Sequence, residues 1–396
     1  MFMKIIYVKA RRIFDSNGNN AIEIEVNGNK ASIGLGTSVG KYEVVSYPKD
    51  INSVINLVNK NFNKDLSGLR IEGFGELRQI EDYYNSQDLS ENKEKIGGNV
   101  LVALELAILK SISDEPLYKI LTNKKIKKMP MPLGNCIGGG SHSIGPDFQE
   151  FLVLPETKKF EEAMEINTAI YKLIKGELKK RDKTFIGARN MEGAWMTNLD
   201  NLDILNFMKK ITEKVEKEYG KKIGLGLDIA ANEFWNGRRY EYKNYSKNNL
   251  KKTLDREEQI EFIRKTIKNN GLIYAEDPLH QDDFDGFKDL NKEACYICGD
   301  DLIGTNPERL KMAEGKISAV IIKPNQIGSL LKVKEAIDFA KDNKIVPVIS
   351  HRSGETEDNS IAHLAVGWEC PIIKTGIVGG ERTSKLNELI RINEEI

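Results

Sequence analysis

Short apolar runs that end abruptly in a polar side chain are the main pattern of the second half of the chain. The runs are GLGLD, LIYAE, YICGD, AVIIK, VPVISH and PIIK, which end at Asp228, Glu276, Asp300, Lys323, His351 and Lys374. Apolar runs of this length between helical stretches are typical of buried parallel strands. In α/β barrels the C-terminal ends of the strands carry the chemistry. The pattern therefore predicts that three carboxylates, two lysines and a histidine share the mouth of a barrel.

The stretches between these runs have helical periodicity. Beyond the fourth run, Leu330, Val333, Ile337 and Ala340 lie on one face of a helix, and the next strand follows. A strand, a helix and the next strand form a βαβ unit, in which the two strands are parallel. Several such units in series close into a barrel. The C-terminal region is therefore predicted to be an α/β barrel.

Alternating apolar and polar positions mark the N-terminal region. The segments KIIYVKA, NAIEIEV and KASIGLG are separated by turn sequences and predict an antiparallel three-stranded meander. Helical patterns follow at residues 51–62 and in NVLVALELAILKSI. The basic segment KKIKKMPM marks the expected boundary. Residues 1–125 are predicted to form a smaller α+β capping domain, and residues 126–396 the catalytic barrel.

The charge balance limits the partners. The 396 residues include 59 basic and 59 acidic side chains, so the formal net charge is zero. No overall field attracts nucleic acid or an anionic membrane, and an anionic substrate needs a local cluster of cations. No apolar run is long enough for a membrane span or a signal peptide, and the four cysteines form no disulfide framework. We expect a cytoplasmic protein without nucleic-acid or membrane partners.

Three of the six strand-end residues are carboxylates. Asp228, Glu276 and Asp300 follow successive predicted strands. Hard oxygen ligands suit Mg²⁺, which keeps positions open for water and an anionic substrate. The alternative is that these carboxylates cap strand ends or pair with nearby lysines.

Two further strand-end residues are lysines. A divalent cation and a second ammonium both disfavour the charged form, so the pKa of Lys323 is expected to be lowered. A neutral Lys323 can act as general base on a proton next to a carboxylate, and a metal stabilises the resulting dianion. Alternatively, Lys323 and Lys374 only neutralise the acidic cluster, and the pattern leaves open which lysine is the base.

Longer motifs carry a resemblance to a known family. They run in order along nearly the whole chain: ARRIFDSNGNNAIEIEV, GGNVLVALELAI, GGGSH, QEFLVLP, LDIAANEF, AEDPLHQDDFDGF, GDDLIGTNPERL, KPNQIGS, SHRSGETED, IKTG and ERTSKLNELIRINEE. In these segments the chain resembles the enolases, the phosphopyruvate hydratases. The resemblance implies an enolase-type barrel and at least a homodimer. It also implies Mg²⁺-dependent dehydration of a small phosphorylated hydroxy acid, 2-phosphoglycerate, to phosphoenolpyruvate.

The resemblance implies roles for the matching metal and carboxylate-binding residues. The implied ligands of the first Mg²⁺ are Asp228, Glu276 and Asp300. In the Asp-Asp pair it favours Asp300 over Asp301. Ser38 in the lid matches the serine that contacts a second Mg²⁺, which arrives with substrate. Lys323 is the implied base at C2, and Lys374 is the lysine that binds the substrate carboxylate.

The resemblance also implies a phosphate site and a leaving-group side. Arg352 and Ser353 match the phosphate-binding pair, and a guanidinium suits that task because its fork donates two bonds to one phosphate. The residues implied near the leaving group or in a closing loop are Glu150, Glu192, His351 and His142. Among these, Glu192 is the expected acid.

Some loop residues depart from the family pattern. Met191 replaces an aspartate beside the second glutamate, Gly138 replaces an asparagine, and the lid GLGTSVG lacks a proline. The metal ligands, both lysines and the Arg-Ser pair are unchanged. Two alternatives therefore stay open. One is an enolase-like Mg²⁺-dependent lyase for a different (phospho)hydroxycarboxylate, and the other is a catalytically weak scaffold or binding protein.

Overall fold

An antiparallel three-stranded meander packed on helices forms the N-terminal region, as the alternating pattern predicts. The computed structural model describes residues 2–37, 39–122, 124–142, 145–245 and 251–396, with only the backbone of His142. The elements are β1 (Met3–Lys4), β2 (Val8–Phe14), β3 (Asn20–Val26), β4 (Asn29–Ser32), α1 (Ile51–Leu57), α2 (Asn63–Leu66), β5 (Arg70–Ile71), α3 (Leu77–Gln87), α4 (Gly98–Lys110) and α5 (Leu117–Leu121). A π-helical turn, Val58–Phe62, joins α1 to α2.

The meander buries one face against α4. Ile22 and Ile24 in β3 are fully buried, and α4 contacts both β3 and β4. Helix α4 is buried on nearly all sides, which explains why its apolar residues extend around the helix. The strand predicted at KIIYVKA is split, because the Asn27 side chain bonds the backbone there. It accepts from the N–H of Ile6 and donates to the carbonyl of Lys4, both at 2.8 Å.

Strands and helices alternate in the C-terminal region. In chain order they are β6 (Met131–Pro132), β7 (Gly134–Gly138), β8 (Glu150–Pro155), α6 (Phe160–Arg181), β9 (Trp195–Met196), α7 (Asn201–Tyr219), β10 (Ile223–Asp228), β11 (Tyr240–Tyr242), β12 (Lys252–Leu254), α8 (Arg256–Asn270), β13 (Leu272–Glu276), α9 (Phe284–Leu290), β14 (Tyr296–Gly299), α10 (Pro307–Met312), β15 (Ala319–Ile322), α11 (Pro324–Ile327), α12 (Leu330–Asp342), β16 (Val346–Ser350), α13 (Ser360–Gly367), β17 (Ile372–Lys374) and α14 (Gly380–Glu395). Each helix in the described ranges is too short or too polar to cross a lipid bilayer.

The strands close into the predicted barrel. Their hydrogen-bonded order is β6-β17-β16-β15-β14-β13-β10-β8-β7-β9. Only Leu133 separates β6 from β7, so the pairing of β6 with β17 and of β7 with β8 closes the ring. One strand differs from the parallel arrangement, because β8 runs antiparallel to β7 and β10. Glu150, the first residue of β8, therefore lies opposite Asp228, the last residue of β10.

Side chains inside the barrel alternate with those that face the helices. Ile321 and Ile372 belong to an apolar cluster in the interior, whereas Val320 and Ile373 belong to the larger core. Because successive side chains of a strand point to opposite faces, a residue two positions beyond an interior residue also points inward. Lys323 and Lys374 occupy such positions, so both lysines lie above the interior apolar layer.

Candidate active site

A polar cavity opens at the mouth of the barrel. Most predicted site residues line it: Glu150, Glu192, Asp228, Asp300, Lys323, His351, Arg352, Ser353 and Lys374. Glu276 is fully buried and contacts Lys374. Ser38 and the side chain of His142 lie outside the described part of the protein, and the backbone of His142 ends a short 3-10 turn, Gly140–His142.

Lys374 is a buried cation surrounded by three carboxylates. Its Nζ lies 2.8 Å from Glu276 Oε2, 2.9 Å from Glu150 Oε2 and 3.0 Å from Asp228 Oδ2. Burial alone lowers the pKa of a lysine, but Asp228, Glu150 and Glu276 outweigh it and raise the pKa of Lys374 well above its ordinary value. Lys374 therefore neutralises part of the acidic cluster.

Lys323 pairs with a single carboxylate. Its Nζ donates to Asp300 Oδ2 at 2.5 Å, and Gln326 Nε2 donates to Asp300 Oδ1 at 2.8 Å. Burial lowers the pKa of Lys323, but the adjacent Asp300 outweighs it, so the pKa is raised. This direction is opposite to the lowered pKa expected from the sequence. The physical reason is that Asp300 lies directly against the ammonium.

A compact group of carboxylates lies beside Lys323. Oxygens of Asp277, Asp300 and Asp301 all lie within 4.8 Å of one another. Asp277 also holds the backbone of the other two, because it accepts the N–H of Asp300 at 2.9 Å and of Asp301 at 2.7 Å. The sequence analysis did not assign Asp277, and it favoured Asp300 over Asp301. The adjacent acidic pairs in AEDP and GDD were the available signal.

The donor set fits a hard divalent cation. Within the described ranges, Glu276 Oε1 is buried and has no hydrogen-bond partner. Burial, followed by the charge of Asp228, raises the pKa of Glu276 well above its ordinary value. Such a group of buried oxygens favours a cation, and oxygen-only donors suit Mg²⁺. Asp228, Glu276 and Asp300 would hold the ion, with Asp277 and Asp301 beside Asp300.

Two glutamates, Glu150 and Glu192, also line the cavity. Glu150 pairs with Lys374, and Glu192 Oε2 accepts a hydrogen bond from Asn135 Nδ2 at 3.2 Å. Burial, with the neighbouring Glu192 carboxylate, raises the pKa of Glu150 to about 7 against the opposing effect of Lys374. The turn that carries Glu192 is fixed by Asn190, whose Oδ1 accepts the N–H groups of Glu192 and Ala194 at 3.0 Å.

Arg352 is held by a glutamate that the sequence analysis missed. Its Nη1 lies 2.6 Å from Glu43 Oε2, and both side chains are almost fully buried. Glu43 belongs to the N-terminal region, whose chain is fixed to the barrel by a two-bond bridge between Leu35 and Gly354. Beside it, Ser353 Oγ accepts the N–H of Thr37 at 2.8 Å. Both predicted phosphate-binding residues therefore contact the lid segment.

An α/β barrel with carboxylates, buried lysines and an arginine at its mouth belongs to the class of barrel enzymes that act on small anionic substrates. Residues 5–121 match the family model described as the enolase N-terminal domain, and residues 126–396 match the enolase C-terminal TIM barrel domain. The chain belongs to the enolase family.

Individual relatives agree over the full length. The chain is 40% identical to a protein named Enolase from Methanothermobacter thermautotrophicus and 41% identical to an Enolase from Methanosphaera stadtmanae. It is 39% identical to an Enolase from Archaeoglobus fulgidus. Each match covers 98% of this chain and 96% of the relative.

Proposed function

We propose that the protein is a Mg²⁺-dependent carbon–oxygen lyase of glycolysis that dehydrates 2-phosphoglycerate to phosphoenolpyruvate. The observation that carries the proposal is the meeting of Lys323, Lys374 and Arg352 in one cavity with the carboxylates. Its relatives named Enolase support the same activity. We also propose a cytoplasmic homodimer, built from a capping domain of residues 1–125 and a barrel of residues 126–396.

The carboxylate end of the substrate fits beside the two lysines. Asp228, Glu276 and Asp300 would hold the divalent cation, which would supply positive charge that stabilises the deprotonated substrate carboxylate. Lys374 is proposed to bind that carboxylate and Lys323 to take the proton from C2. A cation held by Asp300 would offset the carboxylate charge that raises the pKa of Lys323. A second Mg²⁺ is proposed at Ser38.

The leaving-group end fits beside the two glutamates. Departure of hydroxide from C3 needs a proton, which a carboxyl group can donate. Glu192 is the proposed acid, and Glu150, with its pKa raised to about 7 by burial, is its neighbour. His351 is proposed to lie near the leaving group, and His142 is proposed to belong to a closing loop.

Arg352 and Ser353 are proposed to bind the phosphate. The guanidinium already has a buried anionic partner in Glu43, at 2.6 Å. A phosphate with two negative charges competes well for such a donor because its oxygens match the guanidinium fork. Substrate binding is therefore coupled to the segment that carries Glu43.

A second candidate is an enolase-like lyase for a different (phospho)hydroxycarboxylate. It is favoured by one observation: Met191 Sδ lies 3.5 Å from Thr37 Oγ1, between the lid and the glutamate loop. A thioether at this place is less polar than the aspartate of the family pattern, so it would favour a less polar substituent at C3. A scaffold role is disfavoured because it needs neither lysine in the cavity.

The test is to follow the absorbance of the enolpyruvate product after 2-phosphoglycerate and Mg²⁺ are added to the purified protein. We expect turnover that stops when a chelator is added. Glycerate without the phosphate is the matched control, and it should not react. Absence of turnover, together with exchange of the C2 proton for deuterium, would instead support the second candidate.

A further inference from the structure

Arg382 is a fully buried cation behind the cavity, and the sequence analysis gave it no role. It lies in the first turn of α14, and none of its surface is exposed. Its Nη2 donates to the carbonyls of Ser353 at 2.6 Å and Met191 at 3.1 Å, and its Nη1 donates to the carbonyl of Arg352 at 2.5 Å. Arg382 thus joins the loop that carries Glu192 to the His-Arg-Ser segment.

The same guanidinium contacts the imidazole of His351. Nη1 of Arg382 lies 2.7 Å from Nδ1 of His351. A guanidinium has only N–H donors and stays charged in proteins, so Nδ1 of His351 must be the acceptor. An imidazolium would direct two N–H groups at each other across this contact. The ring is therefore neutral, with its single proton on Nε2.

The other ring nitrogen of His351, Nε2, is left to bind a ligand. In the part of the chain that the structure describes, this atom is buried and has no hydrogen-bond partner, and the ring lines the cavity. An unpartnered buried donor costs about 1–3 kcal/mol, so an oxygen that accepts its proton is favoured there. The position suits a substrate oxygen.

The charges around the His351 ring also favour its neutral form. Burial and Arg382 lower the pKa of His351 well below its ordinary value, and Lys374, Lys323 and Lys385 add to the effect. Among the carboxylates of the same cavity, Glu150 is paired with Lys374 and Asp300 with Lys323. The backbone of the ring is also fixed, because the N–H of His351 donates to the carbonyl of Lys374 at 3.0 Å.

We propose that Arg382 is a positioning residue that holds His351 as a neutral imidazole with its proton on Nε2. The consequence for the reaction rests on the proposed function. Nε2–H donates a hydrogen bond to an oxygen at the leaving-group end, and the neutral ring does not give up its proton. As the C3–O bond breaks, its electron pair leaves with the oxygen, which takes a proton from a glutamic acid and departs as water. The electron pair from the C2–H bond forms the new C2–C3 double bond.

Nitrogen NMR of the full-length protein, labelled with ¹⁵N at histidine, tests the assignment without any activity assay. The chain has four histidines, so the spectrum of His351→Gln identifies the His351 signals by their loss. We expect an unprotonated Nδ1 and a protonated Nε2 that do not change between about pH 5 and 8, the range in which an ordinary histidine titrates. A protonated Nδ1 in the wild-type protein would overturn the proposal, whether or not the protein turns over 2-phosphoglycerate.

Variants separate this role from a general effect on folding. In Arg382→Met the donor to Nδ1 is lost, so the proton should no longer be confined to Nε2 and a protonated Nδ1 should appear. The kcat should fall by about 10²-fold, the effect of a misplaced catalytic group. Arg382→Lys keeps one donor and should restore the unprotonated Nδ1. Lys385→Met is the matched control, because Lys385 is a buried cation of the same helix that pairs with Glu355 at 2.8 Å. It should leave Nδ1 of His351 unprotonated, as in the wild type.

The opposite results are equally informative. A His351 spectrum in Arg382→Met that matches the wild type, with Nδ1 still unprotonated, would overturn the role of Arg382. If Arg382→Met does not fold, the wild-type and Arg382→Lys spectra decide alone, since a protonated Nδ1 in either one contradicts the proposal.

Discussion

Replacement of Lys374 by methionine tests how the acidic cluster is neutralised. The substitution keeps the length of the side chain and removes the ammonium that lies within 3.0 Å of Glu150, Asp228 and Glu276. Loss of one partner from a buried ion pair costs about 3–5 kcal/mol, because the remaining charge is left uncompensated. The variant is therefore expected to be substantially less stable in the absence of divalent cations.

The expected shift in melting temperature follows from chain length. The entropy of unfolding is about 2.1 cal/mol/K per residue, or roughly 0.8 kcal/mol/K for a chain of this length, so the loss corresponds to about 4–6 °C. Mg²⁺ should recover more stability in Lys374→Met than in the wild type, because the variant no longer has an ammonium that competes for the carboxylates. At a free Mg²⁺ concentration one hundred times Kd, binding adds about 2.7 kcal/mol to the free energy of unfolding.

The assay is thermal unfolding after treatment with a chelator, with and without added Mg²⁺. Lys385→Met is the matched control: it also removes a buried ammonium, which pairs with Glu355 at 2.8 Å, but away from the carboxylate cluster. Its response to Mg²⁺ should equal that of the wild type. Equal responses of Lys374→Met and Lys385→Met would refute the metal site around Asp228 and Glu276, and they would favour the group of Asp277, Asp300 and Asp301.

Two further predictions concern the phosphate side and the acid limit of stability. In Gly36→Ala the new Cβ would lie 1.8 Å from Arg352 Nη2 and displace the guanidinium, so KM for 2-phosphoglycerate should rise at least about 10-fold. Gly75→Ala is the control: its new Cβ would meet no atom within 4 Å, so KM should not change. An unchanged KM in Gly36→Ala would contradict the phosphate role of Arg352. The hydrogen bond from His363 lowers the pKa of Glu388 from its ordinary 4.5 to about 2, so its stabilisation is present above pH 4.5 and is lost as the pH falls through 2. At neutral pH the urea midpoint of the wild type should therefore be higher than that of Glu388→Gln, and this difference should shrink as the pH falls below 4.5. The exposed Glu394→Gln is the control and should have the same midpoint as the wild type. A difference between the wild type and Glu388→Gln that stays constant with pH would contradict this account.

The barrel and the strand-end residues that face its interior were predictable, because both follow from the local pattern of apolar and polar residues. A short apolar run identifies a buried strand, and its alternation decides which terminal side chain faces the interior. The direction of β8 was not predictable, because an apolar run looks the same in both directions. Only the pairing of Glu150 with Asp228 across the antiparallel ladder gives the direction.

The residues that the sequence analysis missed act through distant partners. Glu43 contacts Arg352 across 309 positions of the chain, and no local pattern marks a glutamate in a loop as the partner of a buried arginine. Arg382 lies in a helix whose periodicity indicates only that this face is buried. The pairing that raises the pKa of Lys323 was not predictable, because the position of Asp300 depends on the packing of two separate strands.

The most direct test of the central claim compares the wild type with Lys323→Ala in the presence of 2-phosphoglycerate and Mg²⁺. Product absorbance gives dehydration, and proton NMR in deuterated water gives exchange at C2. We predict turnover by the wild type and a loss of both signals in Lys323→Ala, by at least the factor of about 10²–10⁴ that a general base contributes. Exchange at C2 that continues at the wild-type rate in Lys323→Ala would contradict the account.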